Sequence, residues 1–198
     1  MIPVKIQPEP PNFDAKVRQR GNRWLRQNGI NANATAPASS KIPSYWTACL
    51  VDLYQAYSGT CAYLAFHFEL ASNPTTDHFV PKSNNAGLAY EWSNYRLACP
   101  RVNCKKRNYT GLLDPFHLLP NTFELDLLTG EIIINRKIGD SSYQKQAQRT
   151  VDQLDLNHQH YKNMRASHFT LYIEHRHADT LRHQNPFVYY EAQKQGLL

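Results

Sequence analysis

Apolar residues recur at helical spacing in three parts of the chain. The spacing predicts helices over residues 13–27, 44–57 and 143–156, with Ser44 suited to cap the second of them. A fourth helix is predicted from His158 to about Arg182. The apolar residues that share a side of these helices are Phe13, Val17, Trp24 and Leu25, then Trp46, Cys49, Leu50, Leu53 and Tyr57, then Tyr143, Ala147, Val151 and Leu154.

Short extended segments lie between these helices. We expect strands at Thr75–Lys82 and Tyr95–Ala98, separated by a helical turn at Leu88–Trp92. Pro100 is suited to the first turn of a helix that reaches about Arg107.

A strand pair is predicted further along the chain. It comprises Phe123–Asp126 and Glu131–Asn135, which turn at Thr129–Gly130. Together with the preceding elements this hairpin indicates an α+β fold, in which short strands are embedded in mostly helical segments.

The N-terminal part differs in composition from the rest. Residues 1–12 are rich in proline and are expected to be extended, whereas residues 28–43 are small and polar, as is typical of a linker. We therefore divide the chain into an extended and basic N-terminal segment, residues 1–43, and a domain at residues 44–198. The basic residues within 13–27 fit either a solvated helix face or an arm along a nucleic-acid backbone.

Charge and composition limit the function classes. The 198 residues carry a formal net charge of +6, which favours a polyanionic partner, and 41% are apolar, which argues against wholesale disorder. No apolar run is long enough to span a bilayer, and the N-terminus does not have the pattern of a signal peptide. We therefore expect a cytoplasmic protein with no membrane partner, whose four cysteines are reduced thiols.

Polar residues suited to phosphodiester chemistry are concentrated between residues 75 and 108. Asp77 lies beside His78, and Asn94 and Asn103 follow. Cutting a phosphodiester requires a base to accept a proton from water, hard oxygen ligands for a divalent metal, and positive charge for the phosphate. The positive charge is available in Arg101, Lys105, Lys106 and Arg107.

This arrangement resembles the HNH endonuclease motif, in the variant where asparagine replaces the last histidine. The matching residues are Asp77-His78, Asn94 and Asn103-x-x-Lys106. The resemblance implies a ββα-metal core at about residues 61–108. The wider pattern DHFVPKS…AYEWSNYRLAC…DPF resembles the HNH nucleases of bacterial anti-phage defence systems, some of which act beside an ATPase subunit. It therefore implies double-stranded DNA of phage or plasmid origin as the substrate.

The resemblance assigns a role to each residue. His78 is the expected general base, and Asp77 and Asn103 are the expected ligands of Mg²⁺ or Mn²⁺. Asn94, the other residue of the catalytic motif, is expected to brace the loop between the two strands.

The cations after Pro100 have two interpretations. Arg101, Lys105, Lys106 and Arg107 fit a solvated helix face, but beside an aspartate–metal site the resemblance favours phosphate contacts. Lys106 is the strongest candidate among them because it matches a family position.

The cysteines depart from the pattern of zinc-containing relatives. Such nucleases carry two C-x-x-C pairs, but here Leu64 lies three residues after Cys61, and Val102 lies three residues after Cys99. Two unpartnered thiolates do not close a tetrahedral site, so the sequence argues against a structural zinc.

Two function classes fit the sequence. The first is a metal-dependent DNA endonuclease, and the second is a non-cleaving nucleic-acid-binding or assembly subunit that keeps the nuclease fold. The presence of Asp77, His78 and Asn103 together favours the enzyme, because a binding module needs no such set. A homo-oligomer is compatible with either class.

Overall fold

A computed structural model of the chain describes residues 1–37 and 40–198. Its helices and strands form two compact units, which are described separately. The first unit comprises Ile6–Gly59 and Glu69–Thr110, and the second comprises Met1–Lys5, Thr60–Phe68 and Gly111–Leu198. The boundary predicted at residue 43 lies inside the first unit. The nuclease core was expected to begin at Cys61, which lies in the second unit.

The described residues of the first unit form three α-helices and one two-stranded sheet. A π-helical turn at Asp14–Arg18 leads into the first helix, and a 3₁₀ turn at Tyr45–Cys49 leads into the second. The elements are α1 (Gln19–Gln27), α2 (Leu50–Ala56), β1 (Thr75–His78), β2 (Tyr95–Ala98) and α3 (Pro100–Lys106). The predicted second strand and the third helix are thus present, the helix ending one residue early.

Strands β1 and β2 are antiparallel, and α3 follows directly after them. The register pairs His78 with Tyr95 and Asp77 with Arg96. Two 3₁₀ turns, Gly87–Tyr90 and Trp92–Asn94, lie in the connection where a single helical turn was predicted. The strand–strand–helix order predicted from the sequence is therefore observed.

The core of the first unit holds α1 against the connection between the strands. Val17 and Leu25 are fully buried, as are Tyr90 and Tyr95. Gly21 permits this close packing, because a Cβ atom at this position would lie 2.1 Å from the Tyr90 ring. The helical segment predicted at residues 13–27 thus packs into the core of the first unit.

The second unit combines a β-hairpin with four helices. The elements are β3 (Phe123–Asp126), β4 (Glu131–Ile134), α4 (Ser141–Gln153), α5 (Gln159–His175), α6 (Ala178–Gln184) and α7 (Pro186–Lys194). The hairpin was predicted, and α4 begins two residues before the predicted helix. Its first turn is capped by the Asp140 side chain, which accepts a hydrogen bond from the Tyr143 backbone N–H.

The C-terminal helical region differs from its prediction. A single helix was expected from His158 to about Arg182, but Arg176 adopts a left-handed conformation with φ 58° and ends α5 there. Such a helix end is more commonly formed by glycine, so the break was not predictable from the residues around Arg176. Within the described residues, no helix is long and apolar enough to cross a membrane.

Candidate active site

The end of β1 carries the two residues expected to act together. Asp77 and His78 are 2% and 9% exposed, and both line an open pocket of about 360 Å³ in the first unit. Successive side chains of a regular strand point to opposite faces. Because β1 ends at His78, both residues reach the pocket wall.

The His78 ring is oriented by a backbone carbonyl. Its Nε2 atom lies 3.0 Å from the carbonyl oxygen of Ala89. A carbonyl oxygen only accepts hydrogen bonds, so Nε2 carries the proton and Nδ1 keeps a lone pair in the neutral ring. Trp46 and Tyr95 pack edge-on against the imidazole, with ring centroids 4.6 and 5.2 Å away. The geometry therefore fixes both the tautomer and the position of the ring.

The surroundings of His78 keep it neutral. The pKa of His78 is lowered to about 4, mainly by burial and to a smaller extent by the charges of Lys82 and Lys106, against the opposing effect of the hydrogen bond to Ala89. At neutral pH the imidazole is therefore unprotonated and able to accept a proton.

Lys106 lies inside the protein and pairs with Asp77. Its side chain is fully buried, and its Nζ atom lies 3.1 Å from Asp77 Oδ1. The ammonium also donates to the carbonyl oxygens of His78 and Phe79, at 2.8 and 3.1 Å. These three acceptors match the three protons of a lysine ammonium.

This contradicts the expectation for Lys106. A side chain without exposed surface has no atom available to a phosphate, so the assignment of Lys106 to a nucleic-acid surface is corrected. The residue is an internal cation that ties α3 to the end of β1.

Asn94 holds the connection between the two strands. Its Oδ1 accepts a hydrogen bond from the Val80 N–H at 2.8 Å, and its Nδ2 donates to the carbonyl oxygens of Val80 and Leu88, at 3.0 and 2.9 Å. Leu88 directly precedes Ala89, whose carbonyl oxygen orients the His78 ring. The Asn94 side chain thus fastens both ends of the connection, and it does not line the pocket.

The remaining predicted residues divide between the pocket and the open surface. Asn103 and Arg107 line the pocket together with Asp77 and His78. Arg101 and Lys105 are exposed on α3 and are not part of the pocket wall. The pocket therefore brings together all three residues to which the resemblance gave proton transfer or metal binding, with Arg107 as one of the predicted cations.

Two pocket residues were not assigned a role from the sequence. Trp46, predicted as core, packs on His78, and the Lys82 ammonium lies 4.6 Å above the Trp46 ring. Burial also lowers the pKa of Lys82. The sequence signal that could have identified Lys82 was its position four residues after His78.

The donor atoms at this site suit a hard divalent cation. Asp77 offers a carboxylate and Asn103 an amide oxygen, which together with solvent match the preference of Mg²⁺ or Mn²⁺ for oxygen. Within the described residues, no group of three or more His, Cys, Asp and Glu side chains is placed to hold a metal ion, so a cation here would depend on the Asn103 amide oxygen as well as on Asp77.

The cysteines are distributed over both units. Cys61 lies in the second unit, and Cys99 lies in the first, at the start of α3. Both are buried, as is Cys49, while Cys104 is exposed.

Comparison with known proteins adds no family assignment. No family model matches the chain, and no curated protein sequence matches it.

Proposed function

We propose that the protein is a metal-dependent endonuclease of the HNH type that hydrolyses phosphodiester bonds of DNA. The observation that carries the proposal is the state of His78. Its imidazole is held against Trp46 and Tyr95, and its Nε2–H donates a hydrogen bond to the Ala89 carbonyl oxygen, which leaves the lone pair on Nδ1. His78 also lines a pocket that Asp77 and Asn103 line. A histidine serving only as core packing has no need of a pocket with two oxygen donors.

In this proposal His78 accepts the proton of the attacking water at Nδ1. The bond from Nε2 to Ala89 persists and stabilises the resulting imidazolium, because its proton points at a carbonyl dipole. A general base of this kind contributes a rate factor of about 10²–10⁴. Asn94 keeps the base in place by fastening the connection that carries Ala89.

Asp77 and Asn103 are the residues that would hold the divalent cation. The bound cation supplies Lewis-acid stabilisation of negative charge on the phosphate and leaving oxygens. Lys106 holds Asp77 in place through their ion pair, and Arg107 and Lys82 bring positive charge to the pocket wall, where the phosphate would lie.

The resemblance extends this proposal to a biological setting. It favours double-stranded DNA of phage or plasmid origin as the substrate, a cytoplasmic location, and a defence system in which an ATPase subunit is a partner. The basic net charge of the chain is compatible with such a substrate.

One observation favours the second candidate function, a non-cleaving binding or assembly subunit. Lys106 occupies Asp77 Oδ1, so a cation would have to share this carboxylate with an ammonium group. If that pair excludes the cation, the fold is retained without the chemistry.

Plasmid cleavage distinguishes the two. The purified protein is incubated with supercoiled plasmid in Mg²⁺, in Mn²⁺ and in EDTA, beside His78→Ala and a control, His117→Ala, which replaces an exposed histidine. We expect nicking or cutting with either metal, none in EDTA, wild-type cleavage by the control, and none by His78→Ala. Equal cleavage by His78→Ala and the wild type, or none by the wild type in either metal, would contradict the enzyme.

A further inference from the structure

The positive charge of the chain is concentrated in one segment. Residues 15–51, which we call the acid-free segment, contain no Asp or Glu. The other parts of the chain carry 16 Lys and Arg against 16 Asp and Glu, so the formal net charge of +6 is located in this segment. Its cations are Lys16, Arg18, Arg20, Arg23, Arg26 and Lys41.

Neighbouring carboxylates are drawn to one arginine of the segment. The Arg18 guanidinium forms ion pairs with Glu9, Asp14 and Glu91. The Arg18 side chain therefore pairs with three carboxylates that could otherwise neutralise the positive charge on the exposed side of α1.

The other arginines of α1 remain available on its surface. Arg20, Arg23 and Arg26 follow at helical spacing, and all three are exposed. Within the part of the chain that the structure describes, none of them forms an ion pair. We call these three residues the basic face of α1, and it presents three guanidinium groups to solvent without an acidic neighbour to balance them.

A series of aromatic contacts links the basic face to the pocket wall. The Arg20 guanidinium lies 4.5 Å above the Tyr45 ring, and Tyr45 contacts Tyr90 with ring centroids 5.9 Å apart. Tyr90 in turn packs on Gly21 of α1. Trp46, which directly follows Tyr45 in the chain, packs on His78 and lines the pocket. The acid-free segment thus begins at a basic helix and ends in the pocket wall.

We infer that the basic face of α1 binds the phosphodiester backbone of the DNA that enters the pocket. The inference rests on the proposed function for the identity of the substrate. Guanidinium groups bind phosphate through two parallel hydrogen bonds, and an acid-free helix in the same compact unit as the pocket gives a regularly charged strand a second region of contact. Arg20, Arg23 and Arg26 therefore fix the position of the duplex, whereas pocket residues act on the scissile bond.

Salt-dependent binding tests this inference. Affinity for a fluorescently labelled duplex DNA is measured by anisotropy in EDTA, so that cleavage does not accompany binding, between about 50 and 200 mM salt. We expect the triple variant Arg20→Gln, Arg23→Gln, Arg26→Gln to bind about tenfold or more weakly, with a slope of log K against log salt reduced by about 2–3, since each phosphate contact contributes about 0.9.

A matched control removes the same charge elsewhere. Arg136→Gln, Arg149→Gln, Arg182→Gln replaces three exposed arginines of the second unit and should retain the wild-type slope. Arg23→Glu alone provides a second variant if the triple variant unfolds, and it should weaken binding more than Arg149→Glu does. A polyglutamate peptide of equal charge should compete at least about tenfold less well than unlabelled DNA.

The outcomes separate this inference from the proposed function. Three results would each overturn the role of α1, whether or not the protein cuts plasmid. They are a wild-type salt slope in the α1 triple variant, a loss of affinity in the control variant as large as that in the α1 variant, and competition by polyglutamate as strong as that by unlabelled DNA. Failure of the wild type to cut plasmid, with the expected loss of binding in the α1 variant, would overturn the nuclease and leave α1 as a DNA-binding helix.

Discussion

The Asp77 carboxylate and the Lys106 ammonium form an ion pair that is almost wholly removed from solvent, with 3.1 Å between Oδ1 and Nζ. The pair joins the end of β1 to the last turn of α3. It also sets the electrostatic conditions of the pocket, because Lys106 compensates the charge of Asp77 and helps to lower the pKa of His78. One lysine thus supports both the candidate metal ligand and the candidate base.

Removing this lysine should destabilise the fold. Lys106→Ala leaves the buried Asp77 carboxylate without its counter-charge and frees two backbone carbonyls, so we expect a loss of about 3–5 kcal/mol in the free energy of unfolding. Lys105→Ala, at the neighbouring exposed position, should change it by no more than about 0.5 kcal/mol. Urea unfolding of both variants measures the difference. Equal midpoints would show that Lys106 is not the internal cation that the structure describes.

His78 should make the stability of the fold depend on pH. Its pKa is about 4 in the folded protein and about 6.5 in an unfolded chain, so the unfolded state binds the proton first as pH falls. The stability present above about pH 6.5 is therefore lost progressively down to about pH 4. Between about pH 7 and pH 5 we expect a loss of about 2 kcal/mol.

The variant His78→Gln isolates this contribution. Its loss between about pH 7 and pH 5 should be smaller than that of the wild type by about 2 kcal/mol, because the contribution of His78 is removed while that of His168, whose pKa burial also lowers, remains. Urea unfolding of both proteins at the two pH values gives the difference. A wild-type loss no larger than that of the variant would mean that the His78 pKa is not lowered in the folded protein.

Gly21 should be required for the packing of α1. An added Cβ atom would lie 2.1 to 2.5 Å from three atoms of the buried Tyr90 ring, so Gly21→Ala should lower the free energy of unfolding by about 1–3 kcal/mol. This would occur despite the higher helix propensity of alanine. The control Asn22→Ala lies next to it on the same helix and should be neutral or slightly stabilising. Thermal melting of both variants tests this, and a Gly21→Ala variant more stable than the wild type would contradict the close packing.

Local patterns predicted most of the first unit because its elements carry strong signals. Tyr95–Ala98 is a short segment with one charged residue, Arg96, and it is followed by Pro100, which starts a helix. Both elements occur as expected. The inward direction of Lys106 was not predictable in this way. Its neighbours Lys105 and Arg107 are exposed cations, and only the tertiary position of Asp77 accounts for a buried lysine between them.

Contacts between residues distant in sequence account for the other differences. The nuclease core was expected to begin at about residue 61, but His67 donates its backbone N–H to the Gln184 carbonyl, and its ring lies 4.4 Å from that of His183. The pairing of this segment with the C-terminal helices has no local signature. The same holds for the carbonyl of Ala89, whose bond to His78 depends on the fold of the connection between the strands.

The two asparagines of the site should have separable roles. Asn103 is partly exposed on α3 and lines the pocket, so Asn103→Ala should abolish cleavage with little change in melting temperature. Raising the Mg²⁺ or Mn²⁺ concentration should restore part of its activity, since the defect lies in metal binding.

Asn94 should behave in the opposite way. It is 5% exposed, and its three hydrogen bonds to the Val80 and Leu88 backbones are lost in Asn94→Ala, at a cost of roughly 1–3 kcal/mol for the buried groups left unpaired. The connection that orients His78 then loosens, so cleavage should fall together with the melting temperature, and added metal should not restore it. Melting temperature and a metal titration of cleavage, measured for both variants, decide the assignment. If added metal restored Asn94→Ala and not Asn103→Ala, the two roles would be reversed.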